Sequence, residues 1–210
     1  EMATETTAEN DAQEININLS IAEDAIQKKN IVYDKNGQNH YDIISAFIKS
    51  IRGSDPDATL FWLANMLEAG EDPNFIFRRL LISASEDIGI AEPNAIVVVK
   101  SCCDAFERVG FPEGVYFLTQ ASLYLAISPK SNSTKNIFKA IETIKSINAY
   151  EVPSHLKNNS NSYVNPHNYP GNWIAQEYLP ISVRGLKIWE PNNNGWEKIK
   201  YEELLRRKEN

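Results

Sequence analysis

KSIRGSDPDATLFWLANML, Lys49–Leu67, is the stretch whose reading decides the fold. Gly53 stops whatever precedes it. Asp55 is a good N-cap, Pro56 is favoured at the first helical position, and the Asp57 carboxylate suits the positive end of a helix dipole. An apolar run follows and is closed by Gly70. Upstream, Ile43, Ile44, Phe47, Ile48 and Ile51 share one helical face. The polar knot Arg52-Gly53-Ser54-Asp55-Pro56-Asp57 therefore reads as the joint between two helices.

The same punctuation recurs. Asp72-Pro73-Asn74, Glu92-Pro93-Asn94 and Phe111-Pro112-Glu113 each open an apolar segment, and the prolines stand 17, 20 and 19 residues apart. A further helix carries Ile137, Phe138, Ile141 and Ile144, making six from about Asp42 onward. The apolar positions do not superpose between segments, so the beat is shared helix-start chemistry and not a structural repeat. The fold class is all-α, a compact multi-helix domain. Several helices are apolar around most of their circumference, which favours burial in a larger assembly.

Both ends differ from this middle. Residues 1–19 are acidic and aperiodic, a disordered lead-in. Ser20 and Glu23 form a capping box for a short helix, Ile21 to about Lys29, within a segment spanning 20–33. Between Tyr150 and Pro180 the helical signal vanishes, and the aromatics there suggest an ordered wrap over the helical body. GLKIWEP–NNNG–WEKIK reads as a small β-hairpin turning at Asn193-Asn194-Gly195, before a basic helix from about Tyr201 to Lys208.

The net charge of −7 attracts no nucleic acid globally. Positive charge gathers near the end in Arg184, Lys187, Lys198, Lys200, Arg206, Arg207 and Lys208, a candidate DNA-contacting patch beside Trp173, Trp189 and Trp196. Cys102 and Cys103 sit in a helical pattern without CxxC spacing and read as structural thiols of a reducing compartment. The Asn-x-Ser/Thr matches at Asn18, Asn132 and Asn158 fall in Asn-rich sequence and read as chance. No apolar run spans a membrane, and no signal peptide opens the chain.

Chemistry is sparse. GxxxxGK[ST], GxGxxG, GxSxG and HExxH are absent, and His40, His155 and His167 show no ligand spacing. No catalytic, cofactor or metal site is assigned. Two polar clusters remain: Arg52, Ser54, Asp55 and Asp57, and Arg78-Arg79 with Ser85-Glu86-Asp87. Three readings stay open for them. They are caps and salt bridges between helix ends, a geometry-fixing contact between subunits, or acid/base machinery around Asp55, Asp57 and Glu86 near His40.

With these residues in view, the sequence resembles a known family. YDKNG, the run NHYDIISAFIKSIRGSDPDATLFWLANMLEAGEDPNFIFRRLLISASEDIGIAEPNA, SPKSN (128–132), VPSHLKN (152–158), YLP (178–180) and RGLKIWEP (184–191) look like the C-terminal region of replication-associated recombination protein A. That family of AAA+ ATPases is also called MgsA and is related to the Werner helicase-interacting protein. The likeness covers nearly everything from Ile21 onward. Between Leu156 and Tyr178 this chain is shorter and Asn-rich where the family has a longer insert.

The resemblance implies that residues 20–33 are the remnant of an AAA+ lid. It implies that 34–210 form a helical oligomerisation domain like the clamp-loader collar. It implies self-association, into a tetramer, of a bacterial cytoplasmic, nucleoid-associated protein acting at stalled replication forks. DNA would be engaged through the full-length protein, with single-strand-binding or replisome proteins as further partners. ATP and Mg would belong to an ATPase core absent from this chain. Interface or helix-junction candidates are Arg52, Asp55, Asp57, Phe61, Trp62, Phe75, Phe77, Arg78, Arg79, Glu86 and Asp87. The rival function is a nucleic-acid-binding module using the basic C-terminal patch.

Overall fold

Asp55 Oδ1 accepts a hydrogen bond from the backbone N–H of Ala58 at 2.9 Å, and Asp72 Oδ1 accepts from Asn74 N–H at 3.0 Å. Each aspartate precedes a proline at the first helical position, so two helix starts follow directly from the local chemistry. The computed structural model describes residues 38–147 and 150–209. It contains α1 (Gln38–Arg52), α2 (Pro56–Glu68), α3 (Pro73–Ser83), α4 (Ala95–Val109), α5 (Val115–Ile127), α6 (Asn136–Ser146) and α7 (Gly195–Glu209). The lead-in 1–19 and the capped helix Ile21–Lys29 lie outside the described residues.

The fold is all-α, with no strand among the described residues. None of these helices is long and apolar enough to cross a membrane. Helix α5 is the hub, packing against α1, α2, α3 and α4. Its sequence VYFLTQASLYLAI is apolar on nearly every side because neighbours surround it. Leu118, Ala121 and Leu125 are fully buried there, alongside Phe47, Ile51, Leu63, Ile76, Phe77, Leu80 and Val99 from the surrounding helices. Each large apolar side chain in this core contributes about 2 kcal/mol by leaving water.

One copy buries the middle of α5, from Leu118 to Ala126, while Tyr116 and Ile127 at its ends stay exposed. More apolar surface is left over elsewhere. Helix α6 has no buried residue.

A π-helical turn, Ala84–Ile88, extends α3, and a 3-10 turn, Gly89–Ala91, follows. Residues 150–194 are irregular, punctuated by single 3-10 turns. His155 Nε2 lies 2.7 Å from Glu177 O, and Gln176 Nε2 donates to Val164 O, so the segment is tied to itself. It meets the body where Glu190 N–H donates to Asn136 Oδ1 and Glu190 pairs with Lys139.

The hairpin over GLKIWEP–NNNG–WEKIK does not form. Gly195 starts α7 six residues before the expected Tyr201, and Lys198 N–H already donates to Asn194 O. The asparagines serve as side-chain donors to another loop instead of a β-turn: Asn192 Nδ2 reaches Ser131 Oγ and Asn194 Nδ2 reaches Lys130 O.

Candidate functional site

The end of α1 builds one side of a polar junction. Gly53, Ser54 and Asp55 donate backbone bonds to the carbonyls of Lys49, Ile51 and Ser50, which folds the chain back. Ser54 takes φ +58 to do so. Asp55 is then occupied with the α2 cap, and Asp57 is exposed in the first turn of α2.

Arg52 reaches instead across the fold. Its Nε donates to Asp87 Oδ1 at 2.7 Å and its Nη2 approaches Oδ2 at 3.4 Å. Ser83 Oγ donates to Oδ2 at 3.0 Å. The π turn carries this arrangement: Gly89 N–H bonds to Ala84 O, and within the widened turn Ser83 meets Asp87 on one side while Arg52 meets it on the other. Asp87 is buried and Arg52 half exposed, so the pair ties the body to its surface. The Asp87 hydrogen bond, the larger influence, raises the Arg52 guanidinium above its ordinary value.

The loop after α5 supplies the third side. Lys130 Nζ donates to the carbonyls of Leu125, Ala126 and Ser128 at 3.0, 2.9 and 2.6 Å, closing the negative end of α5. Burial pushes the Lys130 amine down, against the pull of the Asp87 charge. Ser131 N–H donates to Asp87 O, and Lys135 pairs with Glu86 at 3.0 Å. Asn192 closes the fourth side through Ser131 Oγ at 2.9 Å. A cleft of about 290 Å³ remains, lined by Arg52, Asp87, Lys130, Ser131, Asn132, Lys135 and Asn192.

Two glycines permit this closeness. At Gly89, φ is +52, and a Cβ would sit 2.8 Å from Ser131 O. At Gly195, φ is +54, and a Cβ would sit 2.2 Å from Ala91 O. The α7 start and the 3-10 turn are therefore in backbone contact.

Structure rearranges the two sequence clusters. Arg52 joins Asp87 from the other cluster, whereas Asp55, Asp57 and Glu86 do not line the cleft. His40 pairs with Glu71 at 2.9 Å. Arg78 and Arg79 stand in the middle of α3, not at its junction; Arg78 lies 5.1 Å over the Phe75 ring. Phe77 belongs to the core of one copy and offers no surface, Phe61 is 62% exposed, and Trp62 and Phe75 are half-buried. Sequence reading missed Ser83, Lys130, Ser131 and Asn192; the SPKSN and NNNG strings signalled the last three, and nothing signalled Ser83.

The basic patch is partly paired with acidic neighbours. In α7, five basic residues face four glutamates. Lys200 pairs with Glu203 and lies 5.7 Å over Trp196, and Arg206 stands 3.9 Å from Glu202. Arg184 approaches Glu177 at 3.4 Å. Arg207, Lys208 and Lys187 are exposed, while Trp173 is half-buried and Trp189 packs edge-on against Tyr201. Cys102 is buried and Cys103 half-buried, both as free thiols, and burial raises both above their ordinary value.

Comparison with known proteins places this framework. The family described as MgsA AAA+ ATPase C terminal matches residues 53–208, and the AAA C-terminal domain family matches residues 1–52. Replication-associated recombination protein A of Bacillus subtilis is 42% identical, over 99% of this chain and 53% of the relative. The protein of that name from Haemophilus influenzae is 38% identical, over 91% and 45%. That from Escherichia coli K12 is 39% identical, over 79% and 40%. The chain thus spans about half the length of the curated relatives it matches.

Proposed function

The chain belongs to the MgsA AAA+ ATPase C-terminal family, and on that premise we propose that it is a homo-oligomerisation domain that brings ATPase units together for replication-associated recombination. The observation that carries this reading is the apolar surface exposed among the described residues. Ile137, Phe138, Ile141 and Ile144 on α6, with Tyr116 and Ile127 at the two ends of the hub helix, are each more than 40% exposed. An exposed apolar patch of a few hundred Å² often marks a protein–protein contact.

The role is geometric. Catalysis of this class can depend on an arginine supplied in trans, so holding neighbours at a fixed distance and angle enables hydrolysis. The Arg52–Asp87 junction supports that role by locking four segments into one rigid unit. No phosphate-cradling loop occurs in the sequence, and among the described residues no group of three or more potential metal ligands exists. We assign ATP and Mg, with the DNA-dependent ATPase activity, to the portion of the relatives that this chain does not span. DNA and the replication machinery are then reached through the whole protein, as a tetramer in solution.

Light scattering after gel filtration at low concentration tests the reading. A mass several times 23.8 kDa is expected. A persistent monomer rejects it.

A further inference from the structure

Helix α6 is held by the wrong side for a helix that belongs to the core. Asn136 Oδ1 accepts from Glu190 N–H at 2.7 Å, and Lys139 pairs with Glu190. These tethers sit on the polar flank. The opposite flank carries Ile137 (57% exposed), Ile141 (41%) and Ile144 (53%), spaced four and three residues apart as in a coiled-coil seam. Phe138, 63% exposed, borders that seam and overhangs an open groove of about 580 Å³ shared with Leu81 and Ile82. Polar tethering with apolar display is what an interface helix needs.

Resting on the self-association reading above, we infer that α6 pairs antiparallel with α6 of a second copy of this chain, across a two-fold axis at Ile141. The pattern is its own complement. With Ile141 facing Ile141, Phe138 of each copy meets Ile144 of the other. Charges agree with that register: Lys145 falls near the other copy's Ile137 and Phe138, where a cation over an aromatic face is favourable. Lys139 falls near Thr143 and Glu142, so no like charges oppose each other. A parallel pairing would instead stack Lys139, Glu142 and Lys145 on themselves.

Area sets the extent of the contact. The four α6 side chains supply roughly 400 Å² per copy, about half of a standard stable interface. Phe138 also lines the Leu81–Ile82 groove, so apolar surface continues from the seam into that groove.

Two variants of the full chain test the register. Ile141→Asp places like charges on the axis and is expected to lower the mass seen by light scattering at least twofold, with unchanged circular dichroism. Ile141→Cys is expected to form an intermolecular disulfide under mild oxidation. The unsubstituted chain and Val97→Cys, 58% exposed on α4, control for Cys102 and Cys103 and for random collision. If the unsubstituted chain is oligomeric, yet Ile141→Asp keeps its mass and Ile141→Cys does not cross-link, another face joins the copies and this inference fails alone. If that same outcome comes with slow alkylation of the thiol that Ile141→Cys introduces, a different part of the chain covers α6, which also overturns it. A monomeric unsubstituted chain overturns both readings.

Discussion

Arg52 and Asp87 stand 35 positions apart in sequence and meet at 2.7 Å, the guanidinium half in solvent and the carboxylate 3% exposed. The pairing joins the end of α1 to the widened turn after α3, two places that no local rule connects. The buried partner dominates the energetics. Desolvating a carboxylate is costly, and the contact offsets that cost only while its hydrogen bonds remain.

Asp87→Ala strands the Ser83 hydroxyl, which is 1% exposed, and leaves Arg52 unpaired. A loss of about 2–3 kcal/mol is expected by urea unfolding. Arg52→Ala, discounted for the arginine's exposure, should cost about 1–2 kcal/mol. Their double-mutant cycle should show coupling near 1 kcal/mol; additive effects would mean the contact is idle.

Gly195→Ala tests the close approach of α7. Its new methyl would have to lie 2.2 Å from Ala91 O at φ +54, which nothing but backbone movement relieves. We expect a loss above about 2 kcal/mol. Amide exchange should accelerate in 195–209 first, with the α5 hub still protected.

Ser54 holds a left-handed φ of +58 without being glycine. Ser54→Gly should raise stability by about 0.5–1 kcal/mol, because relief of that strain exceeds the added chain entropy. Thermal unfolding would show the midpoint moving up.

Glu197 is 0% exposed on α7, and neither carboxylate oxygen has a hydrogen-bond partner among the described residues. An apolar group of similar size suits such a place better. Glu197→Met should stabilise by about 1–3 kcal/mol in urea unfolding; a loss would show that the carboxylate does find a partner in solution.

The Lys139 hydrogen bond holds the Glu190 carboxyl below its ordinary value of 4.5. The resulting stabilisation is present above that value and fades as pH falls through the lower, folded one. Glu190→Gln should therefore melt earlier than the parent at pH 7, and the two melting curves should converge in acid.

Much of the helical body was legible because its signals are local. Asp55-Pro56 and Asp72-Pro73 cap helices whatever surrounds them, and the apolar face of α1 points to the core by periodicity alone. The junction was not legible in the same way. Asp87 finds Arg52 through a π turn that no spacing rule announces, and Lys130 closes α5 through backbone carbonyls that carry no sequence identity. Asn193-Asn194-Gly195 misled for a related reason: turn-forming residues also make side-chain contacts and begin helices, and the Lys130–Ser131 loop offered better partners than a hairpin would. Phe77 misled because an aromatic at helical spacing looks alike whether it faces its own core or another copy.

Lys130 directs its ammonium at three carbonyl oxygens, which matches its three N–H groups and leaves no face for an electrophile. In acylation footprinting it should label far more slowly than exposed lysines such as Lys187 or Lys208. Its modification would become a chemical clock for fraying of the last turn of α5, readable by mass spectrometry without an added probe.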